Sequence, residues 1–301
     1  MSGETETPGD APTVGEETDH DASTASAAVS QPSSRRLFKT IVGRELRTVA
    51  RTRTFFILAL AFAAVVLGIA WSGGGVRAGY VPTLVDLLTP LELLVPIVAI
   101  AFGYRAILSD EERGELDVLE TYPVTNRQFV LGVYAGRAIG LLAVVVVPLA
   151  IVAIMIGLFE AEELWIYATH SGADSPILFA HFLVLTALFA LVVLAVAIAI
   201  SAVVSGTRSA LALSVVALVV LLIGLDLLLV YGFSVGVIGD GMLVHSLAIS
   251  PLSAYRGLVF ETAVIVAAGT GPAVASPIAS VVGLVGWFSA SLAIATWALN
   301  R

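Results

Sequence analysis

Residues 129–158 read Phe129-Val-Leu-Gly-Val-Tyr-Ala-Gly-Arg-Ala-Ile-Gly-Leu-Leu-Ala-Val-Val-Val-Val-Pro-Leu-Ala-Ile-Val-Ala-Ile-Met-Ile-Gly-Leu158, and Arg137 is the single charged side chain among them. At about 1.5 Å per residue a helix over this stretch exceeds the roughly 30 Å of hydrocarbon in a bilayer. A helix apolar on every face has no solvated side to present to water, so its surroundings must be lipid or a buried core. Five further stretches, 55–71, 87–108, 177–204, 210–231 and 278–299, read the same way. Six spans in 301 residues predict an all-α, polytopic membrane protein.

The composition agrees. The chain is 58% hydrophobic and 13% charged, with a mean hydropathy of +0.99, against about 25% charged residues in soluble domains. The formal net charge of −8 comes from the start of the chain: Glu4, Glu6, Asp10, Glu16, Glu17, Asp19 and Asp21 fall within residues 1–30, which carry no Lys or Arg. Without apolar periodicity that stretch cannot offset its ordering entropy. Residues 1–34 are therefore read as a disordered acidic cytoplasmic tail and 35–301 as a six-span domain. The tail lacks the basic start and apolar core of a signal peptide, so the first span is expected to direct insertion and stay uncleaved. There is no cysteine, which excludes disulfides, thiolate metal sites and cysteine nucleophiles.

Lys and Arg fall unevenly between the spans. Arg35, Arg36, Lys39, Arg44, Arg47, Arg51 and Arg53 precede the first, Arg105, Arg113, Arg127 and Arg137 flank the second connection, and Arg208 and Arg301 follow on the same side; Arg77 and Arg256 lie opposite. The positive-inside rule makes the rich side cytoplasmic, which places a multi-pass chain in the cytoplasmic (inner) membrane with both termini cytoplasmic. Before the first span, Phe38, Ile41, Val42, Leu46 and Val49 recur at helical spacing with cations on other faces, predicting an amphipathic interfacial helix.

The connection between the second and third spans carries the functional signal. Leu116, Leu119 and Tyr122 can share a helical face, Pro123 interrupts the chain, and Thr125 with Gln128 forms a capping-box start for the third span. Outward acids Glu112, Glu115, Asp117 and Glu120 beside an apolar edge suit a short helix that docks into a partner's groove. The run Glu112, Arg113, Gly114, Glu115, Leu116, then Pro123, Thr125 and Arg127, resembles the ABC-2 type permeases. The segment Ser250-Pro-Leu-Ser-Ala-Tyr-Arg256 brings the chain closest to their NosY-like branch, with Ser250 and Ser253 in place of the usual polar residues.

The resemblance implies a transmembrane permease subunit of an ATP-binding-cassette transporter, a separate ABC ATPase subunit that holds ATP and Mg2+, and a permease homodimer. It makes Glu112, Arg113, Gly114, Glu115, Leu116, Leu119, Tyr122, Pro123 and Arg127 the ATPase-coupling helix. Direct reading agrees that this chain binds no nucleotide by a P-loop. The only lysine, Lys39, follows Phe38 and not the glycine such a loop needs. The one Gly-x-Ser-x-Gly match, Gly232-Phe233-Ser234-Val235-Gly236, follows the fifth apolar span and not a strand, as a nucleophile elbow must, so no enzyme is expected.

Two acids lie within apolar runs, Glu92 in the second span and Asp226 in the fifth, both placed in the outer half by their distance from Arg105 and Arg208. With Arg256 they form a candidate substrate path, or pair with it. His170, His181 and His245 fall on the outer side, but no metal site is expected from them. Residues 239–277 are too interrupted for a span and predict short outer-leaflet or re-entrant helices. Alternatives left open are an ion-coupled secondary carrier, for which no inverted repeat is visible, and a non-transporting membrane assembly factor. The bilayer is a partner in every reading, and nucleic acid is not.

Overall fold

The structure, a computed structural model, describes residues 34–114, 125–159, 174–239, 242–269, 271 and 273–300. Apart from Ser34, the acidic tail lies outside the described residues. Among these the chain is all helix and irregular connection. In order come α1 (Ser34–Arg51), α2 (Arg53–Ser72), α3 (Tyr80–Gly103), α4 (Asn126–Phe159), α5 (Pro176–Val203), α6 (Thr207–Ser234), α7 (Pro251–Ala268) and α8 (Pro277–Ala298). Seven of them, α2 to α8, are long and apolar enough to cross a membrane if α3 is counted on through Glu111.

Helix starts are written into the sequence more plainly than periodicity alone reveals. Ser175-Pro176, Ser250-Pro251 and Ser276-Pro277 each open a helix, the serine Oγ accepting from Ile177 N, Ser253 N and Ala279 N respectively. A serine cap satisfies an orphan amide, and proline at the first helical position sacrifices an N–H that would have no partner. The expected capping box forms as read: Gln128 N donates to Thr125 Oγ1 and Thr125 N to Gln128 Oε1, each at 3.3 Å. At the start of α3 the cap comes from far away in sequence. Asp174 accepts from Tyr80 N at 2.7 Å and Val81 N at 2.6 Å, and Gly79, at φ +114°, supplies the backbone turn that lets the carboxylate approach so closely.

The bundle is arranged around α5, which packs against α3, α4, α7 and α8. The outermost helices, α2 and α6, bury the least; α2 puts only Phe62, Val66 and Ala70 inward, one residue per turn. One end of the bundle collects the basic residues. There Thr207, opening α6, donates to Glu112, and Asn126, opening α4, donates to Leu299 O at 2.9 Å just beyond α8. So α6 leaves this basic end and α8 returns to it.

That geometry decides what α7 does. A single crossing between α6 and α8 would leave α8 pointing the wrong way. Instead Ile249 O accepts from Trp287 Nε1, ten residues into α8, and the Tyr255 hydroxyl bonds Thr186, ten residues into α5, so both contacts lie about 15 Å in from the far end. Farther along, Glu261 accepts from Val274 N and Ala275 N, and Ser276 N donates to Val244 O. The chain therefore enters from the far end near Val244, turns near Ile249, and climbs back along α7. The expected re-entrant element exists, and six crossings remain. Tyr255 is its anchor, fully buried and stacked on Phe189 with centroids 4.7 Å apart.

Two sequence expectations shift. The second helix begins at Tyr80, earlier than the 87–108 span predicted, because Asp174 caps a start that no local residue marks. Glu92 consequently lies at the middle of α3 and not toward its outer end. The amphipathic α1 forms, but it packs lengthwise on α4, burying Ile41 and Val49, while Phe38 and Leu46 stay 36% and 37% exposed.

Candidate functional site

At the basic end, four cations and three carboxylates join α1, α4 and the segment after α3. Gly132, Gly136 and Gly140, one per turn of α4, face Ile41, Glu45 and Val49, one per turn of α1. Small residues at this spacing let two helix backbones approach closely. Closeness delivers Glu45, itself buried, to the Arg137 guanidinium: Nε donates to Oε2 at 2.8 Å. Arg137 Nη1 also donates to Phe102 O at 3.3 Å, and its Cζ stands 5.6 Å from the Phe55 ring centroid. Arg44 bridges the second Glu45 oxygen, at 3.0 Å, to Asp110. Asp110, buried in the turn Leu108–Glu111, accepts in addition from Arg113 Nη2 at 2.6 Å.

Every buried charge here is thus paired, which is the condition for keeping a charge out of water. The same segment is tied down twice more. Ser201 Oγ, near the end of α5, accepts from Ile107 N at 2.9 Å and Leu108 N at 3.0 Å. Glu112 accepts from Thr207 Oγ1 at 2.7 Å and Arg105 Nη2 at 2.9 Å, and these two partners hold its carboxyl below the usual glutamate range. Ser201→Ala leaves two buried amides without an acceptor and should lower stability by about 1–3 kcal/mol. Thermal unfolding of the purified protein in detergent measures it, and an unchanged melt would show that the serine does not fasten this segment.

Gly114, at φ +67°, ends the fastened stretch. Of the residues read as a coupling helix, Glu112, Arg113, Gly114 and Arg127 are described; Glu115, Leu116, Leu119, Tyr122 and Pro123 lie outside the described residues. Both attachment points of that segment are fixed. Arg113 is held by Asp110 on one side; on the other, the capping box and the bonds from Asn126 to Leu299 O and Asn300 Oδ1 fix the start of α4. Arg127 is exposed.

A second polar cluster lies in the middle of the bundle. Arg256, on α7, makes a bidentate pair with Glu92 on α3, Nε to Oε1 at 2.6 Å and Nη2 to Oε2 at 2.5 Å. Asp226, on α6, accepts from Ser253 Oγ at 2.8 Å. The structure thus brings together all three residues expected along the candidate path, and it shows the pairing of Glu92 with Arg256. Glu92 is buried, whereas the Arg256 side chain is 44% exposed. Two of the three contributing helices carry a π-helical turn next to the cluster, Val220–Gly224 in α6 and Phe260–Val264 in α7. Such turns interrupt the regular ladder and recur at functional positions.

Sequence reasoning missed Glu45 and Asp110 altogether, and it took Arg137 only as a flank. The signal that could have found them is Gly132-x-x-x-Gly136-x-x-x-Gly140, which marks a close helix contact before any partner is known.

The ABC-2 family transporter protein model matches residues 17–301, essentially the whole helical bundle. The chain belongs to the ABC-2 transporter family. It is similar to the protein named "Probable ABC transporter permease protein NosY" of Pseudomonas aeruginosa, 34% identical over 227 residues that make up 72% of this chain and 79% of that protein. The protein of the same name from Stutzerimonas stutzeri is 31% identical over 224 residues, 72% and 78% of the respective chains. The chain is accordingly a membrane-embedded permease subunit of an ABC transporter, and membership implies an ABC ATPase as its partner.

Proposed function

We propose that this ABC-2 permease receives force from its ATPase through residues 112–127 and passes it to α4 and α1, moving a substrate along a path that includes Glu92, Asp226 and Arg256. Glu112, Arg113, Gly114, Glu115, Leu116, Leu119, Tyr122, Pro123 and Arg127 make the docking element. ATP and Mg2+ are held by the partner subunit. The observation that carries this reading is the fastening of both ends of the segment, by buried ion pairs at Asp110 and Glu45 and by the Thr125–Gln128 cap. A segment meant to be pushed must be attached to what it moves. A solvated loop has no use for two buried carboxylates.

The basic end faces the cytoplasm, which puts both termini on the cytoplasmic side of the inner membrane; the concentration of arginines there supports this orientation. Two permeases act together. The half-exposed guanidinium of Arg256 at mid-height supports that pairing, since contact with acyl chains is costly for a charge and a second subunit or an enclosed aqueous path relieves it.

The test is affinity purification in mild detergent of the natural chain and of the Glu112→Ala/Glu115→Ala/Leu116→Ala variant, each co-expressed with candidate ATPases. A stoichiometric ATPase that accompanies the natural chain and is lost from the variant is the expected result. Retention of the ATPase by a folded variant would move the docking element elsewhere.

A further inference from the structure

The cations of the basic end fall into two sets. Those turned toward the bundle, Arg44, Arg105, Arg113 and Arg137, are each paired with a carboxylate. Lys39, Arg47 and Arg51 on α1 and Arg53 at the start of α2 are exposed, and among the described residues none has an acidic partner. At about 100° per residue, Lys39, Arg47 and Arg51 occupy the side of α1 opposite the Ile41, Glu45 and Val49 stripe that packs on α4. Between the two runs a second apolar row, Phe38, Val42 and Leu46, again one residue per turn. Its outer members, Phe38 and Leu46, are over a third exposed.

Alpha-helix α1 therefore has three faces: one on the protein, one apolar and uncovered, one cationic. Thr52 alone, in extended conformation, separates it from α2, so Arg47, Arg51 and Arg53 lie within six residues of the first membrane-crossing helix. An apolar row flanked by unpaired cations at that position matches the boundary between acyl chains and headgroups, and the excess positive charge selects the headgroup.

We propose that this face of α1 is a binding surface for anionic phospholipid, with Phe38 and Leu46 inserted at the acyl boundary and Lys39, Arg47, Arg51 and Arg53 on the headgroup phosphates. The inference is independent of which substrate the transporter moves. It makes the attachment of α1, and hence of the Glu45–Arg137 pair, sensitive to the lipid composition of the leaflet.

Because the natural chain has no cysteine, Leu46→Cys gives a single attachment point for an environment-sensitive fluorophore. The labelled full chain is placed in nanodiscs of phosphatidylcholine with increasing phosphatidylglycerol. Emission should shift to the blue as phosphatidylglycerol rises, and added salt should weaken the response. Adding Lys39→Gln, Arg47→Gln and Arg51→Gln should reduce the apparent phosphatidylglycerol affinity on the order of tenfold or more, whereas Arg127→Gln with Arg208→Gln, exposed cations of the same end, should leave it unchanged. Melting curves of the variants identify any that fail to fold, and for these single substitutions at Arg47 or Arg51 take their place. No response to phosphatidylglycerol, or an equal loss in the Arg127 and Arg208 control, overturns the proposal. So does an intact lipid response accompanied by loss of a co-purifying ATPase, which would assign the cationic face to an acidic surface of that partner.

Discussion

Gly136→Leu should leave little folded protein. A Cβ at this position would stand 2.4 Å from Glu45 Cβ and 3.1 Å from Val42 O, and neither atom belongs to the free end of a flexible side chain. Helix α1 must move off α4, and it cannot move by tenths of an ångström. Overpacking alone costs about 1–3 kcal/mol. The displacement also withdraws Glu45 from Arg137, leaving a buried guanidinium with a backbone carbonyl as its remaining acceptor among the described residues, and stripping a buried charge of its partner costs about 3–5 kcal/mol. Together these approach the whole stability of an ordinary domain. Size-exclusion profile and thermal unfolding of the detergent-solubilised protein are the measurements. Gly286→Leu is the control, because nothing lies within 4 Å of a Cβ there, and it should melt close to the parent. Equal behaviour of the two variants would refute the close α1–α4 contact and with it the account of the buried network.

How far the residues announced this arrangement depends on which interaction is asked about. The bilayer imposes a one-body constraint, about 20 apolar residues per crossing, so the crossing helices could be read locally. Caps are also local, which is why Thr125 and Gln128 are readable as a pair, and Ser175-Pro176 carries the same kind of local mark. The re-entrant α7 was legible from its interruptions and from the parity of charge across the bundle. The segment proposed to dock is marked by a spacing of residue types, and its middle lies outside the described residues. By contrast, Glu45 with Arg137, Arg44 with Asp110, and Asp174 with the start of α3 join residues 66 to 94 positions apart. Nothing in one chain's local pattern says which acid meets which arginine. The amphipathic α1 was legible, but not the part of it that meets protein: periodicity gives an apolar arc, and only the glycine row on α4 decides which third of that arc is covered.

The middle of the bundle allows a sharper test, because its charges can be removed one at a time. Arg256→Met should destabilise the protein by about 3–5 kcal/mol, since Glu92 is buried and would keep a carboxylate with no other partner among the described residues in apolar surroundings. Glu92→Gln should cost less. Its orphaned partner, Arg256, is 44% exposed and can stay hydrated or lean toward Asp226. The double variant Glu92→Leu/Arg256→Met should recover most of the loss, because two apolar side chains replace two desolvated charges. Thermal unfolding of the four proteins closes a double-mutant cycle, and additive effects would mean that the bidentate pair contributes nothing. The same four proteins separate scaffold from pathway. If the pair only holds α7 against α3, the stable double variant should still transport once assembled with its ATPase. If Glu92 and Arg256 lie on the route of the substrate, that variant should be folded, bound to ATPase, and inactive, a combination that loss of packing does not produce.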